Sequence, residues 1–183
     1  MFLAASARAD DVTDNLKTGL SAYGAANYSE ALQAIDYAST LIRQKKGAAV
    51  AALLPAAPSG WTAEEAESDG SGAAFMGGIV TAKRTYKKGD ARVSIRLQSD
   101  SPLLQTYGMT FANPAMMAGT GAKLETIKGR RVAVTYKTAD KNGDIKAVVD
   151  NRYVLEIEGS NVSREELTFV AAAIDYGKLA KLK

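Results

Sequence analysis

The chain has 183 residues, 46% of them apolar, with 23 basic and 20 acidic residues and a formal net charge of +3. It contains neither histidine nor cysteine, which excludes a Ser-His-Asp triad, a Cys-His nucleophile, disulfides and a zinc site of ordinary His/Cys ligands. Lysine, carboxylate and serine-lysine chemistry survive, and the length suffices for one cored domain, alone or with an appendage.

Met1 to Ser6 is small and apolar and runs into Ala7-Arg8-Ala9 before Asp10-Asp11. Small residues at the third-last and last positions before a cut are what signal peptidase accepts, so this pattern predicts export, cleavage after Ala9 and a periplasmic or secreted protein. A basic region ahead of the apolar stretch is missing from the pattern. The longest later apolar run, Ala48 to Leu54, is too short to span a bilayer and is closed by Pro55. The division expected is therefore 1–9 as leader remnant, 10–58 as a helical hairpin and 59–183 as an α+β domain.

From Val12 to about Leu54, apolar residues such as Leu16, Leu20, Tyr23, Leu32, Ile35 and Ile42 recur mostly at spacings of three and four, predicting two antiparallel helices. The break is Gly24-Ala25-Ala26-Asn27, where Asn27 and Glu30 have capping-box spacing. Residues 19–32 resemble one tetratricopeptide helix pair. A solenoid needs about three such repeats and no second copy follows, so the reading is an isolated hairpin.

Pro55-Ala56-Ala57-Pro58-Ser59-Gly60 breaks the composition, and apolar residues then alternate or run in short blocks. Strands are predicted over Ala74–Tyr86 and Ala91–Gln98, joined by Lys87-Lys88-Gly89-Asp90, with Glu64, Glu65, Glu67 and Asp69 in a mobile acidic connector before them. Ser101 caps a helix carrying Leu103, Leu104 and Tyr107. Residues 108–121 read as a methionine-rich loop. Further strands are predicted over Ala122–Lys137, bent at Gly129, over Asp144–Val149 and over Arg152–Glu158, with turns at Asp140-Lys141-Asn142-Gly143 and Asp150-Asn151. Ser163-Arg164-Glu165-Glu166 is a capping box that launches a long closing helix. The sum is an α+β domain, an antiparallel sheet with helices packed on one side, preceded by the hairpin.

That element order, with Gly129-Arg130-Arg131-Val132-Ala133, Tyr153 to Gly159 and Ala172-Ala173-Ile174-Asp175, resembles the PsbP-like fold in its Mog-type and bacterial envelope, DcrB-like, branches. The resemblance covers about two-thirds of the chain, from Trp61 on. It implies a binding or assembly factor without a shared active site, and therefore no catalytic residues.

Several constellations carry chemistry on paper. Met109, Met116 and Met117 with Phe111 are soft, adaptable side chains, suited to filling an irregular core or a partner groove or, as the only soft ligands in the chain, to binding monovalent copper. Lys83, Lys87, Arg92 and Arg96, with Arg84 and Lys88, concentrate positive charge on one strand pair, suited to an anionic or acidic partner or to protecting a sheet edge. Aromatic residues are too sparse among them for a nucleic-acid footprint. Asp140 to Asp144 starts like a calcium loop, but the glycine is misplaced and Asn151 stands where a bidentate Glu is required. No motif implies a metal or another cofactor. The reading reached is a non-enzymatic binding or assembly factor of the bacterial cell envelope that contacts another envelope protein, with a periplasmic small-ligand or metal-ion binder as the alternative.

Overall fold

A computed structural model describes residues 7–69, 79–99, 101–113, 119 and 121–182. The chain divides into two compact units, residues 1–46 and 47–183. The division falls inside a helix, ahead of the proline-rich break, because Val50, Ala51 and Leu54 belong to the hydrophobic core of the second unit.

The first unit is the helical hairpin, with α1 over Ala7–Gly24 and α2 starting at Tyr28 and running to Ala51. The turn between them satisfies its backbone locally: the Asn27 N–H donates to the Ala22 carbonyl at 2.9 Å, and Ala26 sits at φ 57°. Asn27 caps α2 as expected, its Oδ1 accepting from the Glu30 N–H at 3.4 Å while its amide donates to Glu30 Oε2 at 2.7 Å. The seam is made of small residues. Gly19 and Ala22 of α1 and Ala31, Ala34 and Ala38 of α2 are buried, so the two backbones approach closely. A Cβ added at Gly19 would stand 2.8 Å from Ile35 Cγ1.

In the second unit an eight-stranded antiparallel sheet runs in the order β1-β3-β4-β8-β7-β6-β5, with β2 also paired to β3. The strands are β1 Thr62–Ala63, β2 Glu67–Asp69, β3 Val80–Lys88, β4 Ala91–Ser99, β5 Lys123–Ile127, β6 Arg130–Lys137, β7 Asn142–Val149 and β8 Tyr153–Ser160. Helix α3 spans Leu103–Ala112, α4 Arg164–Ala172 and α5 Tyr176–Lys181. The fold class is α+β with an N-terminal helical hairpin.

Alternation fixes the two faces of the sheet. Val93, Ile95 and Leu97 of β4, Ile145, Ala147 and Val149 of β7, and Tyr153, Leu155 and Ile157 of β8 form the core with Leu167, Val170 and Ala171 of α4, Leu179 of α5, and Val50 and Leu54. The opposite face is polar over β4, β7 and β8 except near α3, which contacts β7 and β8, and at Val154, which is buried.

Several local expectations are revised. The stretch expected as one bent strand around Gly129 is two strands joined by a tight turn, because Lys128 at φ 47° and Gly129 at φ 76° both take the left-handed conformation that such a hairpin demands. Asn142-Gly143 is not the turn. Pairing starts at Lys137 opposite Asn142, so the loop is Thr138 to Lys141, with Lys141 at φ 50°. Gly143 is required for space, since an added Cβ would lie 2.6 Å from the Thr135 carbonyl oxygen and 3.0 Å from Leu167 Cδ2. The acidic connector is not a free loop: β1 and β2 pair with opposite ends of β3. Helix α3 continues through Gly108 to Ala112, where a loop was expected, because one glycine inside a helix costs only about 1 kcal/mol. The expected strand residues Ala74 to Gly78 lie outside the described residues.

The closing helix starts on the expected capping box, with Ser163 Oγ accepting from the Glu166 N–H at 3.1 Å and Glu166 Oε2 from the Ser163 N–H at 2.9 Å. It breaks after Ala172, and Asp175 caps a fresh turn by accepting from the Lys178 N–H at 2.9 Å. Gly159 on β8 makes the helix-to-sheet contact close: an added Cβ would stand 2.6 Å from Val162 Cγ2 and 2.9 Å from Leu167 Cδ1. Gly159→Ala is therefore expected to destabilise the second unit by roughly 1–3 kcal/mol, as overpacked cores do. Gly108→Ala, with nothing within 4 Å of its added Cβ, should be neutral or stabilising by up to about 1 kcal/mol. Urea unfolding of the two variants measures both. Equal midpoints would mean that α4 does not rest on Gly159.

Candidate functional site

The side chains best placed to meet another molecule lie on the hairpin. The positions that follow the seam, Leu16, Leu20 and Tyr23 on α1 and Tyr28, Leu32, Ile35 and Ile42 on α2, carry large apolar groups. In an antiparallel pair of right-handed helices these two stripes turn to the same side. The geometry agrees, with the Tyr23 and Tyr28 rings 6.0 Å apart and Ile35 reaching across to Gly19. All seven are exposed, from 45% for Ile35 to 73% for Leu20. Tyr37 is exposed too, but its place before Ala38 turns it to the other side of the pair. A one-sided apolar face of this size is of the kind that marks an interaction surface.

The second candidate is the polar face of the sheet. Strand register lines up Ser94, Glu158, Asp144 and Thr135 across β4, β8, β7 and β6, with Arg96, Glu156 and Lys146 in the next row. A groove of about 480 Å³ opens here, lined by Arg92, Ser94, Thr135, Asp144, Lys146 and Glu158 among others. Beside it, Tyr107 of α3 donates its hydroxyl to Glu156 Oε1 at 2.8 Å, and Arg96 approaches Glu156 Oε2 at 3.7 Å. Burial, and then the hydrogen bond to the Glu156 carboxylate, push the Tyr107 phenol up to about 12. This contact holds α3 to the sheet and closes one end of the polar face.

The basic residues named from sequence are brought together, but they are largely neutralised. Lys83, Lys87, Arg92 and Arg96 share the polar face through the register of β3 and β4. Glu64 lies 2.5 Å from Lys87 and 3.8 Å from Arg92, and the Lys87 ammonium holds its carboxyl below the usual range. Glu67 stands opposite Lys83. Arg84 and Lys88 point elsewhere. The Arg84 guanidinium donates to the Glu64 carbonyl at 2.9 Å and the Pro55 carbonyl at 3.2 Å, and Lys88 pairs with Glu166 at 2.9 Å. An isolated exposed pair is worth little in stability, yet together these partners offset much of the positive charge that the sequence concentrates on this strand pair.

The methionine-rich cluster falls only partly within the described residues. Met109 and Phe111 sit on α3, not in a loop. Met109 is 63% exposed, and Phe111 is half-buried and stacked on Tyr107 with centroids 6.0 Å apart. Met116 and Met117 lie outside the described residues. Asp140, in the calcium-like stretch, is an exposed turn residue. Among the described residues no three carboxylates converge as a metal site would require, and no helix is long and apolar enough to cross a membrane.

The periodicity marks the hairpin's large residues as apolar stripes of two helices without saying which stripe is buried. What it missed is that each helix carries two adjacent stripes, one small and one large, and a lone pair buries only one. Tyr107 and Glu156 carried no sequence signal, because their pairing joins positions 49 apart. No protein-family model, curated protein or solved structure matches this chain.

Glu156→Gln should lower the Tyr107 phenol's titration from about 12 towards its ordinary value while leaving the effect of burial in place. Ultraviolet absorbance titration, with Tyr107→Phe identifying the signal, measures this. The sign for stability follows. A phenol whose folded value is raised stabilises the fold below its unfolded value of about 10, and that stability is lost as pH rises from there through the folded value near 12. Tyr107→Phe should flatten the alkaline decline.

Proposed function

We propose that this chain is an exported, non-enzymatic binding or assembly factor of the bacterial cell envelope that acts through protein-protein contacts. One observation carries the reading: the hairpin exposes seven large apolar side chains on one side, while its own seam is already filled by small residues. Such a face is expensive to keep in water and gains most from a partner helix or groove.

Three further features support it. The Ala7-Arg8-Ala9 pattern supports export. The resemblance of the second unit to the PsbP-like fold supports a binding role. The chemistry supports a non-enzyme, because the chain lacks histidine and cysteine, and the carboxyls with shifted values among the described residues, Glu64, Glu166 and Asp175, are all lowered by bonded or nearby donors. A general base or acid near neutrality needs a carboxyl raised by burial.

The groove on the polar sheet face favours a second reading, a binder of a small polar ligand carrying both charges, since both cations and carboxylates line it. Its mixed lining and open form suit a weakly held solute.

An affinity capture from envelope extract, with the whole chain as bait, separates the two. The first reading expects a specific protein that is lost with Leu20→Glu and Leu32→Glu and kept with Asp144→Asn and Glu158→Gln. Capture of nothing by a folded bait, together with a small-molecule thermal shift abolished by the groove variants, would replace the first reading with the second.

A further inference from the structure

The hairpin face has the form of half a four-helix bundle, and we infer that its partner is a second copy of this chain, joined face to face about a two-fold axis parallel to the helices. This rests on the reading of the face as a binding surface and names its occupant. Three properties of the face converge on that occupant.

The first is shape. Rotation about such an axis lays α1 of one copy on α2 of the other, so every neighbouring pair in the four-helix assembly runs antiparallel, the arrangement that up-down bundles adopt. The Leu16, Leu20 and Tyr23 stripe then meets the Tyr28, Leu32, Ile35 and Ile42 stripe. The surface is its own complement, as an isologous contact requires.

The second is area. Seven large side chains, each 45–73% exposed, present apolar surface on the order of the ~800 Å² per partner that a specific interface buries. A smaller ligand would leave much of that surface wet.

The third is charge at the outer edge. Helical geometry places Lys17 on the outer flank of the α1 stripe and Asp36 on the outer flank of the α2 stripe. Gly19 lies beside Ala31 and Ile35, so Lys17 and Asp36 stand at about the same height along the hairpin. The two-fold axis keeps that height and puts Lys17 of each copy beside Asp36 of the other. Among the described residues of one copy Lys17 has only a long contact to Asp14, at 4.0 Å and well exposed, which leaves it available for the pairing.

Sedimentation of the whole chain from nanomolar to high micromolar concentration tests this. The expected result is a reversible monomer-dimer equilibrium. Leu20→Glu should shift it to monomer with unchanged helix content by circular dichroism. Lys17→Asp and Asp36→Lys should each weaken the dimer by a few-fold to about tenfold, the range of exposed ion pairs, and the double exchange should restore it. The exchange keeps the test open even if Leu20→Glu disturbs folding, since both positions are on the solvated flank. A chain that stays monomeric throughout, a dimer indifferent to Leu20→Glu, or a double exchange that restores nothing would overturn the inference. A monomer that still captures an envelope protein through the same face overturns it too, but leaves the binding-factor reading intact. A dimer that captures nothing supports self-association and counts against the binding-factor reading.

Discussion

Two helices laid side by side can bury only one stripe of each against the other, and in this hairpin that stripe is filled by glycine and alanine. Gly19 and Ala22 face Ala31, Ala34 and Ala38. The close approach they allow gains contact between backbones, but it spends the seam on residues that bring little apolar area. The leucines, isoleucines and tyrosines beside them are turned outward. Had the large residues occupied the seam, the hairpin would stand further apart and its outer surface would be polar. The choice of what goes inside therefore fixes what the outside can bind, and the functional reading follows from it.

The sheet of the second unit is governed by a comparable division. Its core face is closed: Leu167, Val170 and Ala171 cover strands whose inward positions are almost all aliphatic or aromatic, and the glycines at 143 and 159 remove the side chains that would hold α4 away. Its other face is charged, but in balance. Glu64 answers Lys87 and Arg92, and Glu156 answers Arg96 and accepts the Tyr107 hydroxyl. The Glu156 side chain is well shielded, so the guanidinium and the phenol together supply what water no longer does. Like carboxylates do meet directly at Asp144 and Glu158 in the register of β7 and β8, an arrangement that costs stability on a sheet unless cations stand near. Lys146 lies 3.7 Å from Asp144 and provides one.

What was legible in the sequence was whatever depends on neighbours along the chain. The Asn27 and Ser163 caps, the Asp150-Asn151 turn and the alternation of β4 are local in origin, and all are present in the structure. The errors share a cause of the opposite kind. Lys128-Gly129 makes a tight turn although lysine is a poor residue for a positive φ, because the pairing of β5 with β6 imposes it. Asn142-Gly143 has the turn composition, but its glycine serves contact with Thr135 and Leu167, which are distant or across a strand. The hairpin face was legible as an apolar stripe but not as an exposed one, because periodicity is silent on whether anything in the same chain lies against it.

The two surfaces also differ in how they respond to solvent, and that difference decides which of them can govern association in a salty compartment. Ions at physiological strength screen exposed charges beyond about 8 Å, so the balanced, mostly paired charges of the polar sheet face exert little pull at a distance. Apolar association is not screened, and excluded salts such as sulfate strengthen it. The hairpin face therefore keeps its attraction where the sheet's charges lose theirs. The flanking Lys17 and Asp36, too exposed to supply much affinity, are suited to choosing the orientation in which two such faces meet.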